Sequence, residues 1–205
     1  MNAHAQDTRT VNYLALGDSY TIGESVAERD RWPNQLDSVL SKRIGKETNT
    51  TIIATTGWRT DNLINAIRIA QLKEEYDLVS LLIGVNNQYQ GKSINQYALE
   101  FEELLKTAIQ LAKGKKENVF VVSIPDYGFT PFGLKNKEKI SEAIDRFNEV
   151  NKKISDQYQV RYVNITAISR QGLADTDLVA SDGLHPSAKM YGLWAKEIEE
   201  KIGIK

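Results

Sequence analysis

Five short apolar runs punctuate the chain, at residues 13–16, 51–54, 78–83, 119–123 and 160–164. Each is rich in Val, Ile or Leu and is bounded by polar residues or glycine, so each predicts a strand. Longer segments lie between them, at 33–44, 61–73, 95–113 and 137–157, and another closes the chain at 187–202. Their apolar residues recur every three or four positions, the period of a half-buried helix. Tyr97, Phe101, Leu104, Leu105, Ala108, Ile109 and Ala112 show this spacing well. Pro33 stands where the first turn of a helix tolerates proline.

The run Leu78-Val79-Ser80-Leu81-Leu82-Ile83 barely alternates, as expected of a strand buried on both faces. Strands of this kind, each followed by a helix, predict a parallel sheet covered on both sides. Right-handed crossovers then narrow the architecture to a flavodoxin-like three-layer α/β/α sandwich on a five-stranded parallel sheet.

Composition adds bounds. The chain has 205 residues, which predicts one domain over 11–205 behind a tail of residues 1–10. A chain of this size buries about 70% of its unfolded surface and needs no covalent staples. Lys plus Arg is 26, Asp plus Glu is 27, and the net charge is −1. That balance argues against a nucleic-acid or membrane-surface partner. There is no cysteine, so disulfides, thiolate chemistry and Cys-ligated zinc are excluded. No apolar run approaches the roughly 18 residues of a membrane helix. The first residues lack the apolar stretch of a signal peptide, yet Ala3-His4-Ala5 has the pattern that precedes signal cleavage. Both a cytoplasmic location and export with a trimmed signal fit this start.

Ligands of open parallel sheets bind outside the carboxyl ends of the strands. The loops there are Gly17-Asp18-Ser19-Tyr20, Thr55-Thr56-Gly57-Trp58-Arg59, Gly84-Val85-Asn86-Asn87-Gln88-Tyr89 and Ile124-Pro125-Asp126-Tyr127-Gly128. Ser181-Asp182-Gly183-Leu184-His185-Pro186 precedes the last helix. Of the two histidines, His4 lies in the tail, which leaves His185 as the candidate base. A serine hydroxyl needs a neighbour to take its proton, and imidazole titrates in the useful range. Asp182, three residues upstream, can hold the other ring nitrogen. Gly57 is a candidate backbone donor to an oxyanion, because without Cβ it lets substrate approach the N–H. The Asn86 amide and the Ser19 N–H are further candidates. Gly17 is expected to supply the unusual backbone angles of the turn before Ser19.

Gly17-Asp18-Ser19, Gly57, Gly84-Val85-Asn86 and Asp182-Gly183-Leu184-His185 resemble the four blocks of the SGNH hydrolases, also called GDSL esterases and lipases. The blocks stand in family order and span residues 17 to 185. The resemblance implies Ser19 as nucleophile, His185 as base, Asp182 as its partner, and Ser19, Gly57 and Asn86 in the oxyanion hole. It also implies a flavodoxin-like fold and no cofactor. Two positions depart from the usual pattern. Asn87 replaces the acid of the third block, and Tyr20 follows Ser19 where the name motif has leucine.

Each position also has a plainer reading. Ser19 after Gly-Asp can be a turn residue or helix cap. Asp18 is expected to accept loop N–H groups, and Asp126 to belong to an ordinary Pro-Asp turn. Tyr191 and Trp194 fall at helical spacing and are expected in the core. Tyr20, Trp58, Arg59, Gln88, Tyr89 and Tyr127 flank the blocks and are candidate pocket residues. The expected activity is hydrolysis of small acyl or acetyl esters, including esters of carbohydrate, through a Ser-His-Asp triad and an acyl-enzyme. The alternatives are a lysophospholipase or thioesterase acting on lipid acyl groups, acyl transfer to another acceptor by the same residues, and an inactive glycan-binding module. A metal hydrolase is disfavoured, because one histidine outside the tail and no cysteine leave only carboxylate-rich ligand sets.

Overall fold

In a computed structural model, which describes residues 10–73 and 75–203, all five apolar runs are strands of one parallel sheet. Most of the expected tail, residues 1–9, lies outside the described residues. In chain order the elements are β1 (Val11–Gly17), α1 (Ser19–Ile22), α2 (Trp32–Ile44), β2 (Thr48–Ala54), α3 (Thr60–Ala70), β3 (Leu78–Leu82) and α4 (Val85–Tyr89). They continue with α5 (Ile94–Leu111), β4 (Val119–Val122), α6 (Lys137–Tyr158), β5 (Arg161–Val163), α7 (Thr166–Ser169) and α8 (Ala188–Ile202).

The strand order is β2-β1-β3-β4-β5. The chain steps outward from β1 to β2, then returns past β1 to β3. Right-handed crossovers therefore place α2 on one face and α3, α5 and α6 on the other. Helix α8 packs beside α2 and completes the first layer. Register keeps the faces distinct. Ala15 pairs with Ser80, and Ser80 with Phe120. The Tyr13 hydroxyl meets Ser80 Oγ at 2.8 Å on that face, where Trp32 of α2 packs edge-on against Phe120. Every residue of β3 and β4 is buried, which explains their unalternating sequence. Tyr191 and Trp194 are buried in α8, as expected.

Two local expectations change. The helical pattern over 61–73 ends at Ala70, because Gln71 takes a left-handed φ of 47° and breaks the hydrogen-bond ladder. Gly17 is not a left-handed turn residue but the last residue of β1. Crowding selects it: a Cβ there would stand 2.1 Å from Thr21 Oγ1 and 2.6 Å from the Leu82 carbonyl oxygen. The close approach seats α1 directly on the end of the strand.

Candidate active site

The sheet changes direction between β1 and β3, and the crevice at such a switch point, beyond the strand ends, is the expected ligand site. A cavity of about 180 Å³ opens there. Ser19, Gly57, Asn86 and His185 all line it, with Tyr20, Thr56, Val85, Tyr89, Tyr127, Phe132 and Leu184. Asp182 stands behind His185. Of the candidate pocket residues, Tyr20, Tyr89 and Tyr127 form walls, whereas Trp58, Arg59 and Gln88 do not line this cavity. The Trp58 carbonyl instead accepts the Asn86 amide, Arg59 pairs with Asp61 and Gln90, and Gln88 accepts the Tyr127 hydroxyl.

Ser19 opens α1, with Asp18 as its N-cap. Asp18 is fully buried and accepts the Tyr20 N–H at 3.0 Å, as expected. Burial pushes its carboxyl up to about 7, against the N–H groups of Tyr20 and Gly84, which favour the anion. As the first residue of a helix, Ser19 has an N–H with no intrahelical acceptor. Gly57 has φ +82°, and a Cβ there would meet nothing within 4 Å. Backbone angle, not crowding, thus selects glycine at this rim.

The Asn86 Nδ2 donates to the Trp58 carbonyl at 2.9 Å. That bond uses one amide hydrogen and leaves the second for a ligand. Asn87, the departure in the third block, is buried. Its Oδ1 accepts the Thr60 N–H at 3.1 Å, and its Nδ2 donates to Thr60 Oγ1 at 2.7 Å. The Thr60 hydroxyl itself donates to Glu100. An amide fits here because Thr60 Oγ1, having given its proton away, needs a donor; a carboxylate would face Glu100 across one hydroxyl.

Asp182 and His185 share a loop that the backbone fixes from several sides. The Ala180 N–H donates to the His185 carbonyl at 2.8 Å, and the Phe132 N–H to the Gly183 carbonyl at 3.0 Å. Asp182 Oδ1 accepts the N–H groups of Leu184 and His185, both at 2.9 Å. Its Oδ2 lies 2.6 Å from His185 Nδ1. A carboxylate at Nδ1 places the ring proton there and leaves Nε2 as an acceptor. Partial burial pushes the Asp182 carboxyl up. The hydrogen bonds from Ser25, His185 and the two N–H groups outweigh it and hold the group below the usual carboxylate range. The Tyr20 ring, 5.5 Å from the imidazole and backed by Trp194, supports His185 from below.

Sequence reasoning missed Ser25. Its Oγ donates to Asp182 Oδ2 at 2.6 Å, on the same oxygen that faces His185. Its neighbour Glu24 accepts the hydroxyl of Thr56, next to Gly57. The loop after α1 therefore ties the Gly57 turn to the Asp182 loop. The one local sign is a left-handed φ of 66° at Ser25, which a sequence does not display.

Residues 15–193 match the GDSL-like lipase/acylhydrolase family, and the chain belongs to that family. It is accordingly a carboxylic ester hydrolase. No curated protein matches the sequence. Among solved structures, Axe2, an acetylxylan esterase from Geobacillus stearothermophilus, superposes with TM-score 0.74 at 18% identity, covering 95% of both chains. The lipase Lip_vut3 from goat rumen metagenome gives 0.77 at 16%, covering 94% of this chain and 97% of the other. TesA gives 0.71 at 15%, with 94% and 98% covered. Among the described residues, no helix is long and apolar enough to cross a membrane.

Proposed function

We propose that the protein hydrolyses small acyl esters through Ser19, His185 and Asp182. Ser19 Oγ attacks the ester carbonyl while His185 Nε2 takes its proton. The tetrahedral oxyanion is met by the N–H groups of Ser19 and Gly57 and the free Asn86 amide hydrogen. As the intermediate collapses, the bond to the alcohol oxygen breaks and His185 returns the proton to that oxygen. Water, deprotonated by the same imidazole, then attacks the acyl-enzyme, and the acid leaves as Ser19 recovers its proton. Asp182 fixes the His185 tautomer and faces the imidazolium as it forms.

One observation carries this reading: Ser19, His185, Gly57 and Asn86 line a single cavity, with the Asp182 carboxylate 2.6 Å from the far nitrogen of the imidazole. The size of that cavity supports a small acyl group. At about 180 Å³ it falls below the roughly 300–1,000 Å³ of sites for drug-sized ligands. The likeness to an acetylxylan esterase supports an acetyl ester of a carbohydrate as the substrate class. The test is an acyl-chain series of p-nitrophenyl esters with wild type and Ser19→Ala. Turnover should be greatest for the shortest chains and absent in the variant at unchanged melting temperature. Turnover retained by Ser19→Ala, or greatest for long chains, refutes the reading.

A further inference from the structure

The outer wall of the catalytic cavity has a second side. Tyr89, Tyr127 and Phe132 form a mutually packed trio, with ring centroids 6.1 to 6.3 Å apart. All three also line an open groove of about 710 Å³ that runs from the cavity mouth along α6. Tyr127 is buried and its hydroxyl donates to Gln88 Oε1 at 2.9 Å, so the trio is anchored. Tyr89 and Phe132 nevertheless remain 60% and 53% exposed. Adjacent large rings held open to water beside a catalytic cavity mark a contact surface.

The far wall of the groove is polar. Asn136, Lys139, Glu142 and Arg146 line it, with Ile140 and Ala143 between them and Arg146 3.6 Å from Glu142, while Gln88 stands on the trio's side, holding Tyr127. The catalytic cavity has room for a small acyl group, and the groove shares Tyr89, Tyr127 and Phe132 with it, which gives the remainder of a larger ester a place to lie. An alkyl chain there would strip water from the amides and cations without replacing their hydrogen bonds. A pyranose ring fits both walls: its C–H face suits an aromatic ring, and its hydroxyl edge suits amides and an ammonium group. Resting on the serine-hydrolase reading above, we propose that this groove is the subsite for the alcohol half of the ester, a hydroxyl-rich glycan of two or more sugar units.

The test compares peracetylated mono-, di- and tetrasaccharides of gluco and xylo configuration, with p-nitrophenyl acetate as reference. In the wild type, kcat/KM per acetyl group should rise at least about tenfold from mono- to tetrasaccharide in one configuration. Ala143→Trp, which fills the groove from α6, should reduce that rise to less than about twofold. Lys139→Ala and Asn136→Ala remove exposed side chains and carry little risk to folding; each should lower the ratio of tetrasaccharide to p-nitrophenyl acetate turnover several-fold. No rise with glycan length in either configuration, or a rise that survives Ala143→Trp, overturns the subsite. So does a rise from p-nitrophenyl acetate to octanoate that Ala143→Trp abolishes, since the groove then holds the acyl chain. Absence of p-nitrophenyl acetate turnover in the wild type overturns the serine-hydrolase reading instead.

Discussion

Ser25→Gly isolates one hydrogen bond at the edge of the site. The substitution removes the hydroxyl that donates to Asp182 Oδ2 at 2.6 Å, on the oxygen facing His185. The backbone should accept it, because φ is +66°, a conformation costing a residue with Cβ about 1–2 kcal/mol. Glycine escapes that strain but loses about 0.5–1 kcal/mol through its freer unfolded chain, so the backbone terms nearly cancel and net stability should fall by about the worth of the lost hydrogen bond. Catalysis should move too. A hydrogen bond to a charged group contributes about 1.5–3 kcal/mol. The Asp182 side chain is 31% exposed, so water replaces part of it and the lower end applies. Only the part of that bond that strengthens as the imidazolium forms counts toward rate, and about 1.4 kcal/mol is tenfold, so kcat/KM on p-nitrophenyl acetate should fall by up to about tenfold. Ser25→Ala deletes the same hydroxyl but keeps the strain. It should match the kinetic loss and melt at or below the glycine variant. Steady-state kinetics with thermal melts of both proteins decide the matter. A kcat/KM within twofold of wild type in both variants would refute a role for Ser25 in holding Asp182.

Asn86→Ala should lower kcat by about 10²–10³, the loss expected for one oxyanion donor, with KM little changed; a kcat within a few-fold of wild type would mean the amide serves only the Trp58 carbonyl. Asn87→Asp places a carboxylate in a buried clip shared with Glu100 and removes the donor to Thr60. It should cost about 2–4 kcal/mol, read as a lowered Tm at pH 8 that partly recovers at pH 5, where a protonated acid can donate again. Equal Tm losses at both pH values would speak against a buried charge. Asp18 binds a proton more tightly when folded, with its pKa raised from the ordinary 3.8 to about 7. Its contribution to stability is full below about pH 4 and is lost as pH rises through 7. Asp18→Asn has no such loss, so its Tm should gain on wild type by several degrees between pH 5 and pH 8. Parallel Tm curves would contradict a buried, proton-binding carboxyl.

The layers of this fold were readable because parallel strands buried on both faces leave unbroken apolar runs, and the covering helices leave a period of three and four. Helices α1 and α4 carry no such signal. At four and five residues they are too short for periodicity, yet they present Ser19 and Asn86. Those residues were legible only as motif letters after a strand. The cavity walls divide the same way. Tyr20, Tyr89 and Tyr127 adjoin the motifs and were named, whereas Phe132 reaches the site because its N–H is tied to the Gly183 carbonyl in a distant loop. Ser25 meets Asp182 across 157 residues, a separation no local pattern encodes. Gly17 shows the converse, a residue correctly singled out for the wrong cause, since steric crowding by Thr21 and Leu82 exists only after folding.

Activated serine at position 19 is the claim on which the catalytic account stands, and a fluorophosphonate probe reads it directly. Incubation of the folded protein with the probe, digestion and mass mapping should find one covalent adduct, on Ser19. Labelling should fall by at least about a hundredfold in His185→Ala, because the hydroxyl then lacks its proton acceptor. An adduct on another residue, or undiminished labelling of Ser19 without His185, would contradict it.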